Sequence, residues 1–429
     1  MKTKIVKTFS RFYKRIFGID LSGEAETFFQ NLLYVFSGYG LFLIIGFVFQ
    51  IVSGRVLGPD EYGKYALIYS ISMFFTVPML LGFSTALMQR NSKETNLKKQ
   101  KTNISTAFFT VLLFSILWAV LGIVFSKYIA SVLKIELLFV YEAIALAFLS
   151  SLNTLVRGAL QSLHKMKKAS FYYFLQGLVL ILALIILLLL KNHSHQAATI
   201  SLGLGYLLSF LPIVITLRKY LKPVFEREVF KVMLKYALAG VLGGLATTVL
   251  SQVASLIINH QLNVTNVGIY NAYYSSSILI GGSISAMFMV VFFPTASKIE
   301  DKSIIYEKVA KIIPYLYVVG FVIMVAVSFV VLKLYGSNYP INLGLLLLFA
   351  LAAVLSFHYS IYAWTFASEG IRGNFRSTLI TIIIAAVIVA LNLIFVKHYL
   401  LYGIAISVII SYLLGIIISL VVIKQKQNF

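Results

Sequence analysis

Cysteine is absent from all 429 residues, which excludes disulfides, thiol nucleophiles and cysteine-ligated metals. Charge is scarce at 12% of residues, and acidic charge scarcer still, with 14 Asp and Glu against 36 Lys and Arg. Long polar stretches are missing too. No soluble domain is left over between the apolar runs, so a catalytic domain inserted among them is excluded. The six histidines include no pair at metal-ligand spacing within a helix. His193 and His195 fall in a short connecting loop where weak adventitious binding is the most to be expected, so no metal site is implied. What is present is apolar: 60% hydrophobic residues and a mean hydropathy of +0.93, against the roughly half-apolar usage of soluble domains. The chain is a polytopic, all-α membrane protein.

Twelve apolar runs are long enough to cross a hydrocarbon layer of roughly 30 Å as helices. They lie near 31–54, 65–87, 104–126, 137–157, 170–190 and 197–217, then near 232–258, 268–293, 312–333, 341–367, 377–396 and 402–423. The connections alternate sharply in charge. With the N-terminus inside, the interior segments hold 29 of the 36 Lys and Arg, and the exterior ones hold Arg55, Lys64, Lys127, Lys134, Lys191, Lys333 and Lys397. The positive-inside rule then places both termini in the cytoplasm, and the cytoplasmic (inner) membrane is the expected location. The same distribution accounts for most of the net charge of +22 without a nucleic-acid partner. Exterior connections are short, roughly five to ten residues, which leaves no room for an extramembrane catalytic constellation; no enzyme is expected.

Residues 1–30 form a basic segment with no cleavage site after a short apolar core, read as a retained cytoplasmic tail. Ile5, Phe9, Phe12, Tyr13, Ile16 and Phe17 recur in it at helical spacing, as an amphipathic helix in the headgroup layer requires. The first connection, GRVLGPDEYGKYALIYS from Gly54, brings Arg55, Asp60, Glu61 and Lys64 around Gly58-Pro59. It reads as a solvated turn in which Asp60 and Glu61 sit at the start of the next helix, favourable for its dipole.

The chain repeats itself. Gly63-x-Tyr65-x-x-x-Tyr69-Ser70 recurs as Gly268-x-Tyr270-x-x-x-Tyr274-Ser275 at an offset of 205 residues. Ile200-Ser201 with Tyr206-Leu207-Leu208 recurs as Ile406-Ser407 with Tyr412-Leu413-Leu414 at an offset of 206. Six spans separate the copies, so both halves enter the bilayer in one direction and are related by a pseudo-two-fold axis along the membrane normal. The expected organisation is an N-lobe over 31–217, a linker over 218–231, a C-lobe over 232–423 and a tail over 424–429. Parallel repeats of this kind form two bundles around a central cavity, which is transporter architecture.

The residues that carry these features resemble a known family. RVLGPDEYGKYALIYSISMFFTVPMLLGFSTALMQR is similar to the first loop and second helix of the polysaccharide flippases of the multidrug, oligosaccharidyl-lipid and polysaccharide exporter superfamily. LNTLVRGALQSLHKMKKASF, VGIYNAYYSSS with FFPTASKI, LKLYGSNYP, and ALNLIFVKHYLLYGIAISVIISYLL resemble later segments in the same order. The resemblance implies alternating-access flipping of a polyprenyl-diphosphate-linked oligosaccharide for surface polysaccharide assembly, O-antigen among the family's products. The implied partners are that substrate, membrane lipids and glycan-assembly proteins. It implies no cofactor, and the coupling ion, H+ or Na+, is not assigned. Where the family often carries an acidic residue or a Trp late in span seven, this chain reads Ser251-Gln-Val-Ala-Ser-Leu. A drug and toxin extruder of the same superfamily, and a membrane glycan polymerase or transferase, stand as the alternatives.

A diphosphate head would need a polar, cationic passage. Ionisable groups within spans cost roughly 2.5–3.5 kcal/mol at mid-depth, which makes them functional candidates. Arg55, Arg157 and Lys235 are the cationic candidates for substrate contact, with snorkelling to the headgroups as the competing reading for Arg157 and Lys235 and an interfacial position for Arg55. Glu142 is the ion-coupling candidate, against a place in the outer headgroup region. Gln50, Asn153, Gln161, Gln252, Asn271 and His358 complete the cavity list, and Asn153, Arg157 and Gln161 share one helical face. Each amide competes with a plain role as interhelical glue worth about 0.6 kcal/mol.

Overall fold

The computed structural model describes residues 23–298 and 302–427, so the amphipathic N-terminal segment read at residues 5–17 lies outside the described residues. All twelve apolar runs lie in helices. Two rods each contain two spans: Gly23–Leu80 is broken at Gly58, and Ile371–Gln427 is broken at Leu400. Between them run Leu97–Val124, Leu137–Ser162, Met166–Leu189, His195–Leu217, Arg227–Gln261, Val264–Lys298 in three pieces, Ser303–Tyr335 in three pieces and Leu343–Ala367. Short helices Phe83–Asn91 and Ser126–Leu133 fill the turns after spans two and three.

The first connection is tighter than the sequence reading of a solvated turn from Gly54 to Lys64. One residue makes it. Gly58 adopts φ 76° and ψ 170°, open only to glycine at low cost, and Pro59 starts the next helix with its ring-fixed φ. Helices later in the chain start on side-chain caps: Asn96 accepts from the N–H of Lys98 and Lys99, Asn263 from Asn266, and Asn342 from Leu345.

Spans eight and nine each carry one wide turn, at Ser275–Leu279 and Leu316–Gly320. In span nine it follows Pro314, whose ring removes a backbone donor. In span eight the Ser276 carbonyl is taken up by Ser328 Oγ at 3.0 Å, so the neighbouring helix re-satisfies the loosened backbone.

Packing distinguishes the two ends of the molecule. At the Gly58 end one continuous core spans both halves, with Phe49, Tyr62 and Tyr65 from the first and Tyr270, Tyr335 and Phe349 from the second. At the opposite end, where the linker lies, spans one to six and spans eight to twelve have separate cores. Phe83, Ala107 and Val156 pack with Met233 and Ala237 from the first turns of span seven, whereas Met289, Tyr359, Phe366 and Ile384 pack among themselves. Span seven therefore starts against the first half and ends in the shared core, where Ala254 and Ile258 are buried. Two six-helix bundles thus meet at one end and part at the other.

Candidate functional site between the two halves

The internal repeat is the contact that joins the bundles. A Cβ on Gly63 would lie 2.1 Å from the Val264 carbonyl oxygen, and a Cβ on Gly268 would lie 1.9 Å from that of Pro59. Pro59 and Val264 are themselves separated by the repeat offset of 205, as are Asp60 and Thr265, whose side chains bond to each other at 3.2 Å. Each residue meets its own repeat mate or that mate's neighbour, the reciprocity that a two-fold axis imposes on a self-complementary interface. The tyrosines follow suit: Tyr65 stacks on Tyr69 at 6.3 Å, and Tyr270 lies tilted against Tyr274 at 5.8 Å. Helix backbones approach this closely only where no side chain intervenes.

Around that axis the Gly58 end is closed by polar bonds. Tyr339 donates to the Gly54 carbonyl at 2.9 Å. The Tyr335 hydroxyl lies 2.7 Å from Ser275 and 3.3 Å from Tyr62, which donates to Gln50 at 2.7 Å. Arg55, exposed, donates to the Leu334 carbonyl at 3.3 Å, which places it on the rim of this closure. Deeper, Ser70 donates to Gln252 of span seven at 2.9 Å. The hydrogen bonds that Gly54, Arg55, Asp60 and Tyr62 make to the second half all lie at the Gly58 end.

The other sequence candidates are dispersed. Arg157 is buried at 6% exposure, its guanidinium 4.5 Å from the centre of the Tyr173 ring, so the snorkelling reading fails for it. Asn153, one turn earlier, is fully buried and donates to the Tyr206 carbonyl and to Ser209 within the first half, which is the glue role. Gln161 is half-buried. Lys235 is exposed in the early part of span seven, and farther along the same helix Thr247 is exposed too, its hydroxyl satisfied by the Gly243 and Gly244 carbonyls. Asn271 bonds Ser255 and the Val267 carbonyl. His358 is buried, its Nδ1 2.9 Å from the Tyr317 hydroxyl.

One group escaped the sequence reading. His195 is no loop residue but opens span six, wedged between Glu61, 3.0 Å from Nδ1, and Glu142, 3.6 Å from Nε2. Glu142 therefore faces a histidine inside the first half instead of the headgroups. Spacing gave no signal for this trio, since its members come from three different helices. Removing the Ser70–Gln252 bond is expected to loosen the closed end modestly. In a double-mutant cycle of Ser70→Ala and Gln252→Leu, read by thermal unfolding in detergent, the coupling should come to about 0.5–1.5 kcal/mol.

Comparison with known proteins comes last. Residues 28–300 match the family model described as polysaccharide biosynthesis protein. An uncharacterized membrane protein in the cps region of Klebsiella pneumoniae is 24% identical over 272 residues, which cover 60% of this chain and 53% of that one. The match thus spans about half the length of that relative. Among solved structures, the lipid II flippase MurJ in an inward closed conformation superimposes with a TM-score of 0.71 at 16% identity, covering 90% of this chain and 87% of MurJ. An inward-facing multidrug resistance MATE family transporter of the MOP superfamily gives a TM-score of 0.68 at 16% identity, over 91% of this chain and 95% of the transporter. The fold is that of these transporters.

Proposed function

The chain belongs to the polysaccharide biosynthesis protein family, and on that premise we propose that it is an alternating-access flippase for a polyprenyl-diphosphate-linked oligosaccharide. The observation that carries this reading is the polarity of the closure. Among the described residues, spans one to six share a core with spans eight to twelve only at the Gly58 end, which has few basic residues, and part from them at the end where Lys and Arg concentrate. By the positive-inside rule the parted end faces the cytoplasm of the inner membrane, where a lipid-linked glycan is assembled, and both termini lie there.

The physical task fits the architecture. A diphosphate head cannot cross hydrocarbon unaided, because each unpaired polar group costs several kcal/mol and each charge more. Between parted lobes the head stays hydrated and attracted by cations while its tail remains in lipid. Lys235, exposed on the helix that bridges the lobes, is the first cation on this route, and Arg157 stands behind Tyr173 in the wall of the first half. Rocking then closes the basic end and separates the Gly63–Gly268 contact to open the other. Glycan-assembly proteins are expected to deliver and collect the substrate.

The test is reconstitution. Liposomes holding the protein should move a labelled polyprenyl-diphosphate sugar between leaflets faster than empty liposomes, and a fluorescent organic cation no faster. Equal glycan rates with and without protein would reject the proposal. Export of the cation instead would transfer the chain to the extruder reading, which the MATE likeness supports.

A further inference from the structure

His195 is held by one carboxylate and aimed at another. Its backbone N–H donates to Glu61 Oε2 at 2.6 Å, and its Nδ1 lies 3.0 Å from the same oxygen. The other oxygen of Glu61 accepts from Lys64 Nζ at 2.6 Å, and that ammonium lies 2.9 Å from Asp60. A carboxylate that accepts from an ammonium and two nitrogens is ionised, so Nδ1 carries the ring proton. Nε2 is left as the position that can gain or lose one. It faces Glu142 Oε2 at 3.6 Å, and both atoms are sealed from solvent without a hydrogen-bond partner. Two acceptors facing each other in a sealed site, just beyond bonding distance, lack one proton between them.

The charged groups around the ring are of both signs, with carboxylates in the majority. Span two presents Asp60, Glu61 and Lys64, and span four presents Glu142, with Glu136 exposed farther out. Phe139 of span four meets the ring edge-on at 5.0 Å, and Lys191 and His193 on the preceding turn are exposed. Carboxylates thus outnumber the single ammonium in contact with them.

We infer that Glu61, His195 and Glu142 form a proton-binding site that controls the closure at the Gly58 end. The site takes one proton from water on that face and returns it; no bond other than N–H forms or breaks. Proton uptake turns the facing acceptors into a charged N–H···O bond and draws the ends of spans four and six together. Those ends help hold the halves. The turn before span four is tied to span seven by Asn259 donating to the Leu133 carbonyl at 3.0 Å and by Lys134 donating to that of His260 at 3.4 Å. Asp60, next to Glu61, carries the bond to Thr265. Protonation pulls on these contacts and favours separation of the halves.

The consequence for transport rests on the flippase reading, but the test needs no substrate, so the two can fail independently. Because the chain has no cysteine, spin labels can be placed on Lys127→Cys and Lys397→Cys, both exposed near the Gly58 end of opposite halves. In the full chain in lipid nanodiscs, the interlabel distance should lengthen on acidification. His195→Gln should abolish the response. Glu142→Gln, which keeps the shape, should lower the midpoint by about one unit, tenfold in proton affinity. A distance that ignores pH, one that follows sodium at fixed pH, or a pH profile unchanged in both variants would each overturn the inference.

Discussion

Leucine in place of Gly268 is expected to hold the halves apart at the Gly58 end and to cut glycan flipping by roughly 5- to 150-fold. The added Cβ would fall 1.9 Å from the Pro59 carbonyl oxygen and 2.8 Å from its carbon. Both are backbone atoms of a helix start, so no side-chain rotation relieves the clash and only separation of the helices does. Overpacking costs about 1–3 kcal/mol, which is the stated factor in the closed-to-open equilibrium constant. On the alternating-access reading proposed above, the cycle passes through that state once per turnover, so flipping should fall with it. Gly63→Leu should behave alike, because Gly63 makes the reciprocal contact with Val264, whereas Gly240→Ala, with nothing within 4 Å of its added Cβ, should leave transport unchanged. Liposome flipping and the Lys127→Cys, Lys397→Cys interlabel distance read the effect. A Gly268→Leu protein that is folded, closes fully and transports normally would remove the gate from this contact.

Arg157→Glu is expected to cost the fold before it costs transport. The guanidinium is 6% exposed and packed on Tyr173, so reversing its charge leaves a carboxylate against an aromatic face, a loss of about 3–5 kcal/mol. That is a large share of the roughly 5–15 kcal/mol by which domains are stable, and the thermal midpoint in detergent should drop steeply. Arg55→Glu should barely shift it, since Arg55 is exposed and makes one 3.3 Å bond to a carbonyl. Arg157→Lys keeps the charge but not the planar group, and should fold while flipping several-fold more slowly. If Arg157→Glu unfolds no more easily than Arg55→Glu, the buried placement is wrong.

Much of the architecture was legible because membrane spans are specified locally. The apolar stretch within Leu97–Val124 must be helical and must cross, whatever surrounds it, because no other backbone arrangement satisfies its polar groups in lipid. The repeat was legible for a different reason: Gly63 and Gly268 recur because they meet, and a contact on a two-fold axis constrains both copies alike. The candidate site was less legible. Asn153 and Arg157 share a helical face as the spacing required, but which way that face points depends on spans five and six, and it points into the first half. His195 was misplaced as a loop residue because the turn before span six is shorter than its polar composition suggested.

The sequence by itself determined the spans, the charged and uncharged faces, and the doubling of a six-helix unit. These follow from hydrophobicity, length and charge, which act on each segment separately. Only the tertiary structure decided that the doubled glycines touch, that the halves join at one end, and that Glu61, His195 and Glu142 converge. Such meetings depend on the tilt and rotation of whole helices, set by packing between residues hundreds of positions apart, and no local property of the chain encodes them.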